Sequence, residues 1–365
     1  MRVWSELMAR KNLIKVFRAG SIYKTIGTDE RKIFPKIHNV KVRDHSTEFV
    51  FTLPTGVDPN LLKKNYYVFQ QVFGERINLD GEFKKYVLNV YQKGAEKVLK
   101  YNDAEIAELV SNHSLGIICG KERTGEYVTF DLLKQPHILI AGETGSGKST
   151  QLRSILTTMI LNKKPSELQL YLGDCKKSEF HIFRKVEHVQ CVLSNGKEIA
   201  RMLKHIKNEL DERSDLTETF EVSHVDDLPA EHKRPYIVVC IDEFVMLRKD
   251  ESVMDILTEI VAIGRTLGVF AILSMQRPNA QVLDTTIRAN LTVSMGFKLR
   301  DKIEARIVNT PDAEKIDVSG RFIMNSDKLY DLQAPYLELE EAKKLLNPFN
   351  VTKRLVKEVR PEEPK

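Results

Sequence analysis

What the 365-residue chain lacks narrows its identity first. No apolar run reaches the ~18 residues needed to cross a bilayer; the longest candidate, 256–275, is interrupted by Glu259, Arg265 and Gly268. No signal peptide is recognisable at the amino terminus. The four cysteines, Cys119, Cys175, Cys191 and Cys240, form no C-x-x-C pair. Reduced thiols in a cytoplasmic chain are therefore expected, with neither a disulfide framework nor a zinc site. Hydrophobic residues make up 42% and charged residues 29%, which excludes a disordered chain. The length predicts two or three domains with room for a real core.

Charge is present in both signs but unevenly. Residues 1–43 hold eleven Lys/Arg against three Asp/Glu, a surplus of +8, and leave the rest of the chain at −3. Residues 1–33, with Trp4, Leu7, Met8, Leu13, Ile14 and Phe17 among the basic side chains, are set apart as a basic segment. It reads either as a surface helix that meets phosphate or an anionic membrane surface, or as a solvated terminus. Residues 34–104 read as a small α/β domain. Alternating strands are expected at 36–43 and 48–53, a turn at Pro54-Thr55-Gly56, one helix from Pro59 to about Phe73 capped by Asp58, and a strand at 83–91.

The stretch around which the rest is organised is Gly142-Glu143-Thr144-Gly145-Ser146-Gly147-Lys148-Ser149, followed by Thr150. It fits the phosphate-binding pattern G-x-x-x-x-G-K-[ST]. Glycines let successive backbone N–H groups point at one anion, Lys148 would reach the β- and γ-phosphates, and the Ser149 hydroxyl would ligand Mg²⁺. The apolar run 136–141 reads as the strand that feeds the loop. Residues 149–162 read as the helix whose positive N-terminus faces the phosphates. Upstream, 115–120 and 127–132 flank a charged, glycine-containing turn and predict a hairpin. Downstream, strands at 168–172, 189–193, 236–241 and 269–275 alternate with helices, one at 197–213, and 214–234 is a polar surface excursion. The fold class is therefore α/β: a RecA-like P-loop NTPase with a parallel sheet flanked by helices, preceded by the small α/β domain.

A second anchor closes the apolar strand 236–241: Asp242 and Glu243. Asp242 would hold Mg²⁺ through water, and Glu243 would polarise the water attacking the γ-phosphate of ATP. Gln276, at the end of the neighbouring strand 269–275, is the candidate sensor of the γ-phosphate.

With those pieces in place the chain resembles the motor domain of the FtsK/SpoIIIE family of DNA translocases over roughly residues 48–337. The resemblance is carried by Phe49 to Val57, Asp131 to Gly142, Ala271 to Pro278, Asp312-Ala313-Glu314, Gly320 to Ile323 and Gln333 to Tyr336. It implies an ATP- and Mg²⁺-dependent, ring-forming ATPase, usually a homo-hexamer, that moves double-stranded DNA through a central channel. A cation donated by the neighbouring protomer is implied at each ATP site, and Arg265 and Arg306 are the candidates. Lys176 and Lys177, in the segment Asp174-Cys175-Lys176-Lys177, and Lys298 and Arg300 with Lys302, are candidate DNA-phosphate contacts. Where the family has Asp-Pro-Lys, this chain has Cys175 in place of proline and a second lysine. Residues 105–340 are assigned to the motor domain and 341–365 to a short helix and charged tail. The compact size resembles transfer ATPases of plasmids and conjugative elements, so a relaxosome or membrane-channel partner is implied, at the inner face of the membrane if 1–33 touches it. Two other readings stay open: a protein-export ATPase of the type VII secretion class, and a nucleotide-gated adaptor with little turnover.

Overall fold

The computed structural model describes residues 2–351 apart from 28, 44–45, 75–76, 92–97, 124, 280–282 and 284, and without the side chains of 2–5 and 285. Most of the charged tail expected after 341 (residues 352–365) lies outside the described residues. The chain divides into two compact units, 1–96 with 123–126, and 97–122 with 127–365.

The smaller unit is a four-stranded antiparallel sheet in the order Lys36–Val42, Ser46–Thr52, Lys85–Tyr91, Ile77–Glu82. Its core also takes in the first helix, Arg2–Ala19. Leu13, Val16 and Phe17 sit three and four residues apart, on one helical face, and are fully buried with Phe49, Phe51, Phe69 and Leu88. The Phe17 ring lies 5.1 Å from that of Phe51. Much of the segment set apart as 1–33 is thus structural. The single helix expected over 59–73 is two, Asn60–Lys64 and Tyr66–Phe73, broken at Asn65. The strand expected from Phe83 starts at Lys85, because Phe83 turns with φ 56° and is exposed.

Elements of the larger unit are numbered from its own start. Strands β1 (Gly116–Glu122), β2 (Tyr127–Asp131), β3 (Ile138–Ala141), β4 (Leu168–Asp174), β5 (Val189–Leu193), β6 (Tyr236–Asp242), β7 (Val269–Met275), β8 (Val293–Gly296), β9 (Arg321–Asn325) and β10 (Leu329–Gln333) form one sheet. Their order is β5-β4-β6-β7-β3-β8-β9-β10-β1-β2. The first six run parallel, as expected. The sheet then continues antiparallel through β9, β10 and the β1–β2 hairpin.

The parallel strands are apolar on both faces because helices cover both. Within β6 and β7, Ile237, Val239, Ile241, Val269, Ala271 and Leu273 face one core, with α2 (Gly196–Thr219) and α3 (Glu251–Ile263). Val238, Cys240, Phe270 and Ile272 face the other, with α1 (Lys148–Asn162). Helix α1 is buried almost all round, so its polar side chains bond to strands: Gln151 Nε2 donates to the carbonyls of Ile118 and Cys119 at 2.9 and 3.1 Å, and the Ser154 hydroxyl donates to that of Pro335 at 2.9 Å. Helix α2 runs six residues beyond the expected Arg213. Register brings the strand ends level. Asp174 pairs with Asp242, Gly173 with Leu193, Ile241 with Leu273, and Ala141 with both Met275 and Gly296, so all six parallel strands bring their carboxyl ends to one edge of the sheet.

Candidate active site

In open α/β sheets, ligands bind beyond the carboxyl ends of the strands, and here that edge gathers the chemistry. The loop leaves β3 and returns as α1. Gly145 and Gly147 have φ of 80° and 110°, and a Cβ on Gly147 would stand 2.7 Å from the backbone of Gly320, so only glycine fits. The loop is stitched in place by neighbours: the Glu143 N–H donates to the Lys298 carbonyl at 2.9 Å, the Gly320 N–H to that of Ser146 at 2.7 Å, and the Ser319 hydroxyl to that of Gly145 at 2.9 Å.

Lys148 is buried. Its Nζ donates to Asp242 Oδ1 at 2.8 Å and to the Ser274 hydroxyl oxygen at 2.7 Å, and Ser274 in turn donates to Asp242 Oδ1 at 2.6 Å. A buried ion pair is poor evidence for stability, since desolvation offsets its attraction. Here, however, Lys148 itself lines a cavity of about 660 Å³ together with Thr144, Ser149, Thr150, Lys176 and Gln276. Glu243 is buried with φ 56° and ψ 47°, a left-handed conformation that costs a non-glycine residue on the order of 1–3 kcal/mol. Its Oε1 accepts the Gln276 N–H at 3.2 Å, and Lys176 Nζ stands 3.0 Å from its Oε2. The Thr144 hydroxyl donates to Gln276 Oε1 at 3.3 Å. Burial, and then the negative charge of Asp242, pushes the Cys175 thiol up to about 12, so it stays neutral among the acids.

A second, more apolar cavity of about 430 Å³ adjoins the first and shares Gly147, Thr150 and Ser319 with it. Val98, Val318, Ala334, Pro335 and Tyr336 line the rest. Among the described residues no group of three or more His, Cys, Asp or Glu side chains is placed to hold a metal. The Ser149 hydroxyl and the Asp242 carboxylate are hard oxygen donors, too few to cage an ion but sufficient for Mg²⁺, which takes one or two protein ligands and completes its shell with phosphate and water.

The structure therefore brings together residues 142–150, Asp242, Glu243 and Gln276. It also brings in Lys176, expected at DNA, and sets it on Glu243. Lys177 is exposed on the same turn, and Lys298 and Arg300 are exposed after β8, the Arg300 N–H donating to Glu304 at 3.0 Å. The two arginines differ. Arg265 precedes β7 at the opposite edge of the sheet, with Nε donating to the Leu133 carbonyl at 3.2 Å. Arg306 is exposed on α4 (Lys302–Val308), which follows β8 from the loop edge. Sequence reasoning missed Ser274, although a lone hydroxyl in the apolar run 269–275 was a signal, and it missed the clasp by Ser319 and Gly320.

A strand, glycine loop and helix, with acids closing the strand two places away in the sheet, define a P-loop ATPase. Residues 108–232 match the family profile FtsK/SpoIIIE. The DNA translocase FtsK of Oceanobacillus iheyensis is 30% identical over 247 residues, 62% of this chain and 32% of that protein. That of Staphylococcus aureus (strain COL) is 29% identical over 276 residues, 70% and 35%. The aligned part of the chain thus spans about a third of the length of these relatives. Among solved structures, the pCW3 conjugation coupling protein TcpA in its monomer form with ATPγS superposes with a TM-score of 0.64 at 22% identity, covering 91% of this chain and 97% of that one. The cytoplasmic domain of the type VII secretion ATPase EccC of Thermomonospora curvata gives 0.59 at 22% identity, covering 65% and 31%. The chain therefore carries a P-loop ATPase core, and its residues 108–232 match the FtsK/SpoIIIE family.

Proposed function

We propose that the protein hydrolyses ATP to move double-stranded DNA as a ring of identical subunits, in the transfer or maintenance of a plasmid or conjugative element. The observation that carries the reading is that Lys148 and Gln276 line one cavity with the glycine loop, while Asp242 bonds to Lys148 and Glu243 accepts the Gln276 N–H directly behind them. On this reading the triphosphate takes Lys148 from Asp242, which is left to hold Mg²⁺ with Ser149. The bound ion would neutralise charge developing on the phosphates. Glu243 accepts a hydrogen bond from the attacking water and orients it, and Gln276 reports on the γ-phosphate through its bond to Thr144. The adjoining apolar cavity receives the nucleobase, with Tyr336 at its rim. Arg306 or Arg265 completes a neighbour's site, and Lys177, Lys298 and Arg300 meet DNA phosphates without regard to sequence. The basic face of residues 1–33 is available to a membrane surface or a channel partner.

Steady-state turnover of the purified protein, with and without linear duplex DNA at two salt concentrations, tests this. Stimulation by DNA that falls with salt is expected, because phosphate contacts release counterions. Turnover indifferent to DNA would favour protein export, a reading kept in view by the fold shared with EccC. Negligible turnover under every condition would favour an adaptor.

A further inference from the structure

The turn after β4 holds a cation where the hydrolytic acid needs freedom. Asp174, buried at the end of the strand, accepts three backbone N–H bonds, from Ser178 at 3.1 Å, Glu179 at 3.0 Å and Phe180 at 3.1 Å. The Lys177 N–H also donates to the Asp174 carbonyl at 3.1 Å, and Lys177 itself takes φ 60°. One carboxylate thus folds 175–180 into a fixed turn, and that turn delivers Lys176 to Glu243. Glu243 Oε1 accepts the Gln276 N–H, while Oε2 is buried, accepts no hydrogen bond from the described residues, and has the ammonium 3.0 Å away as an ion-pair partner. The ammonium thus neutralises the one Glu243 oxygen left to meet a water. Lys176 is also only partly buried and lines the cavity beside Thr144, Lys148 and Gln276. It therefore stands between an acid of this chain and the place where a γ-phosphate would bring further negative charge.

We propose that Lys176 is a γ-phosphate sensor that Glu243 and the triphosphate share. With the cavity empty of triphosphate it neutralises Glu243. When a triphosphate enters, the ammonium moves to a γ-phosphate oxygen and releases Glu243 Oε2 to orient water. A diphosphate cannot draw it away, so Lys176 gives the site its preference for ATP over ADP. Lysine suits an exchange of this kind, being a compact charge on a flexible stem with three rotatable donors. The proposal rests on the ATPase reading above and adds to it a residue that reads the state of the nucleotide.

The test is equilibrium binding of ATPγS and of ADP, by calorimetry, to the full chain and to Lys176→Ala, Lys176→Arg and Lys204→Ala. Loss of a charge-assisted hydrogen bond to phosphate is expected to weaken ATPγS by about tenfold or more in Lys176→Ala, with ADP unchanged within about twofold by the same reasoning, since it makes no such bond. Lys176→Arg, which keeps the cation, retains the preference, and Lys204→Ala, which removes an exposed charge on α2, leaves both affinities as they were. An unchanged ratio of ATPγS to ADP affinity in Lys176→Ala would overturn the proposal. So would equal weakening of both nucleotides, the mark of a damaged loop, or a rise in turnover with ATPγS affinity intact, the mark of a restraint that never reaches phosphate. A wild-type chain that binds neither nucleotide would overturn the ATPase reading itself, and this inference with it.

Discussion

The two edges of the large sheet both bury polar side chains, and they do it differently. At the edge away from the loop, Arg213 is 1% exposed and its guanidinium donates to the carbonyls of Leu267 at 2.9 Å and Pro235 at 2.7 Å, as well as to Glu209. His137, also 1% exposed and at φ 62°, accepts the Ala271 N–H on Nδ1 at 3.1 Å. Those partners are largely main chain, in or directly before the strands. At the loop edge Lys148, Asp242, Ser274, Glu243 and Lys176 bond chiefly to one another, side chain to side chain. Such bonds can be exchanged for phosphate oxygens and a metal without disturbing the sheet. Burial of charge therefore does not by itself mark a site; the kind of partner does.

That contrast can be broken by moving the damage between edges. The largest stability effect is expected at Arg213. Replacing it with Met leaves several carbonyls and Glu209 without their buried donor, a loss on the order of 3 kcal/mol in urea unfolding. Nucleotide affinity per folded molecule should be unchanged. A variant that folds as stably as wild type, or that loses nucleotide binding while folded, would erase the distinction.

A smaller effect is expected at His137 and depends on pH. Burial lowers its pKa from 6.5 to about 4. The unfolded chain therefore takes up the proton first as pH falls. The stability this residue contributes is complete above about pH 6.5 and is lost progressively towards pH 4, on the order of 3 kcal/mol at the limit. His137→Asn, whose amide oxygen can still accept and which tolerates positive φ, should flatten that part of the stability profile measured by denaturant unfolding between pH 7 and 4.5. An acid limb that stays as steep as in wild type would show that other groups produce it.

Much of the loop edge was legible in the sequence, because it depends on local pattern: the glycine spacing of 142–149, the apolar run that ends at Asp242 and Glu243, and the strand that ends at Gln276. What was not legible depends on register and on turns. The placement of Lys176 follows from three N–H bonds that Asp174 accepts, and nothing in the order Asp-Cys-Lys-Lys announces them. The role of Gly320 needs a second backbone pressed against Gly147 from 173 residues further along the chain. In the small unit, Ile77–Glu82 went unseen because Asn78, Asp80 and Gly81 disguise the alternation, and its pairing with Lys85–Tyr91 is what makes it a strand. The first helix was only one of two readings, because Trp4, Leu7, Met8, Leu13, Ile14 and Phe17 keep helical spacing imperfectly; Val16, which completes the buried face with Leu13 and Phe17, was not singled out among the basic residues.

Turnover and ATP binding of Glu243→Gln, measured side by side with wild type, test the loop edge most directly. If the exchangeable pairs there form a hydrolytic site, the variant binds ATP with undiminished affinity while its turnover falls by about two to four orders of magnitude. Turnover equal to that of wild type, in a variant that binds ATP normally, would contradict the account.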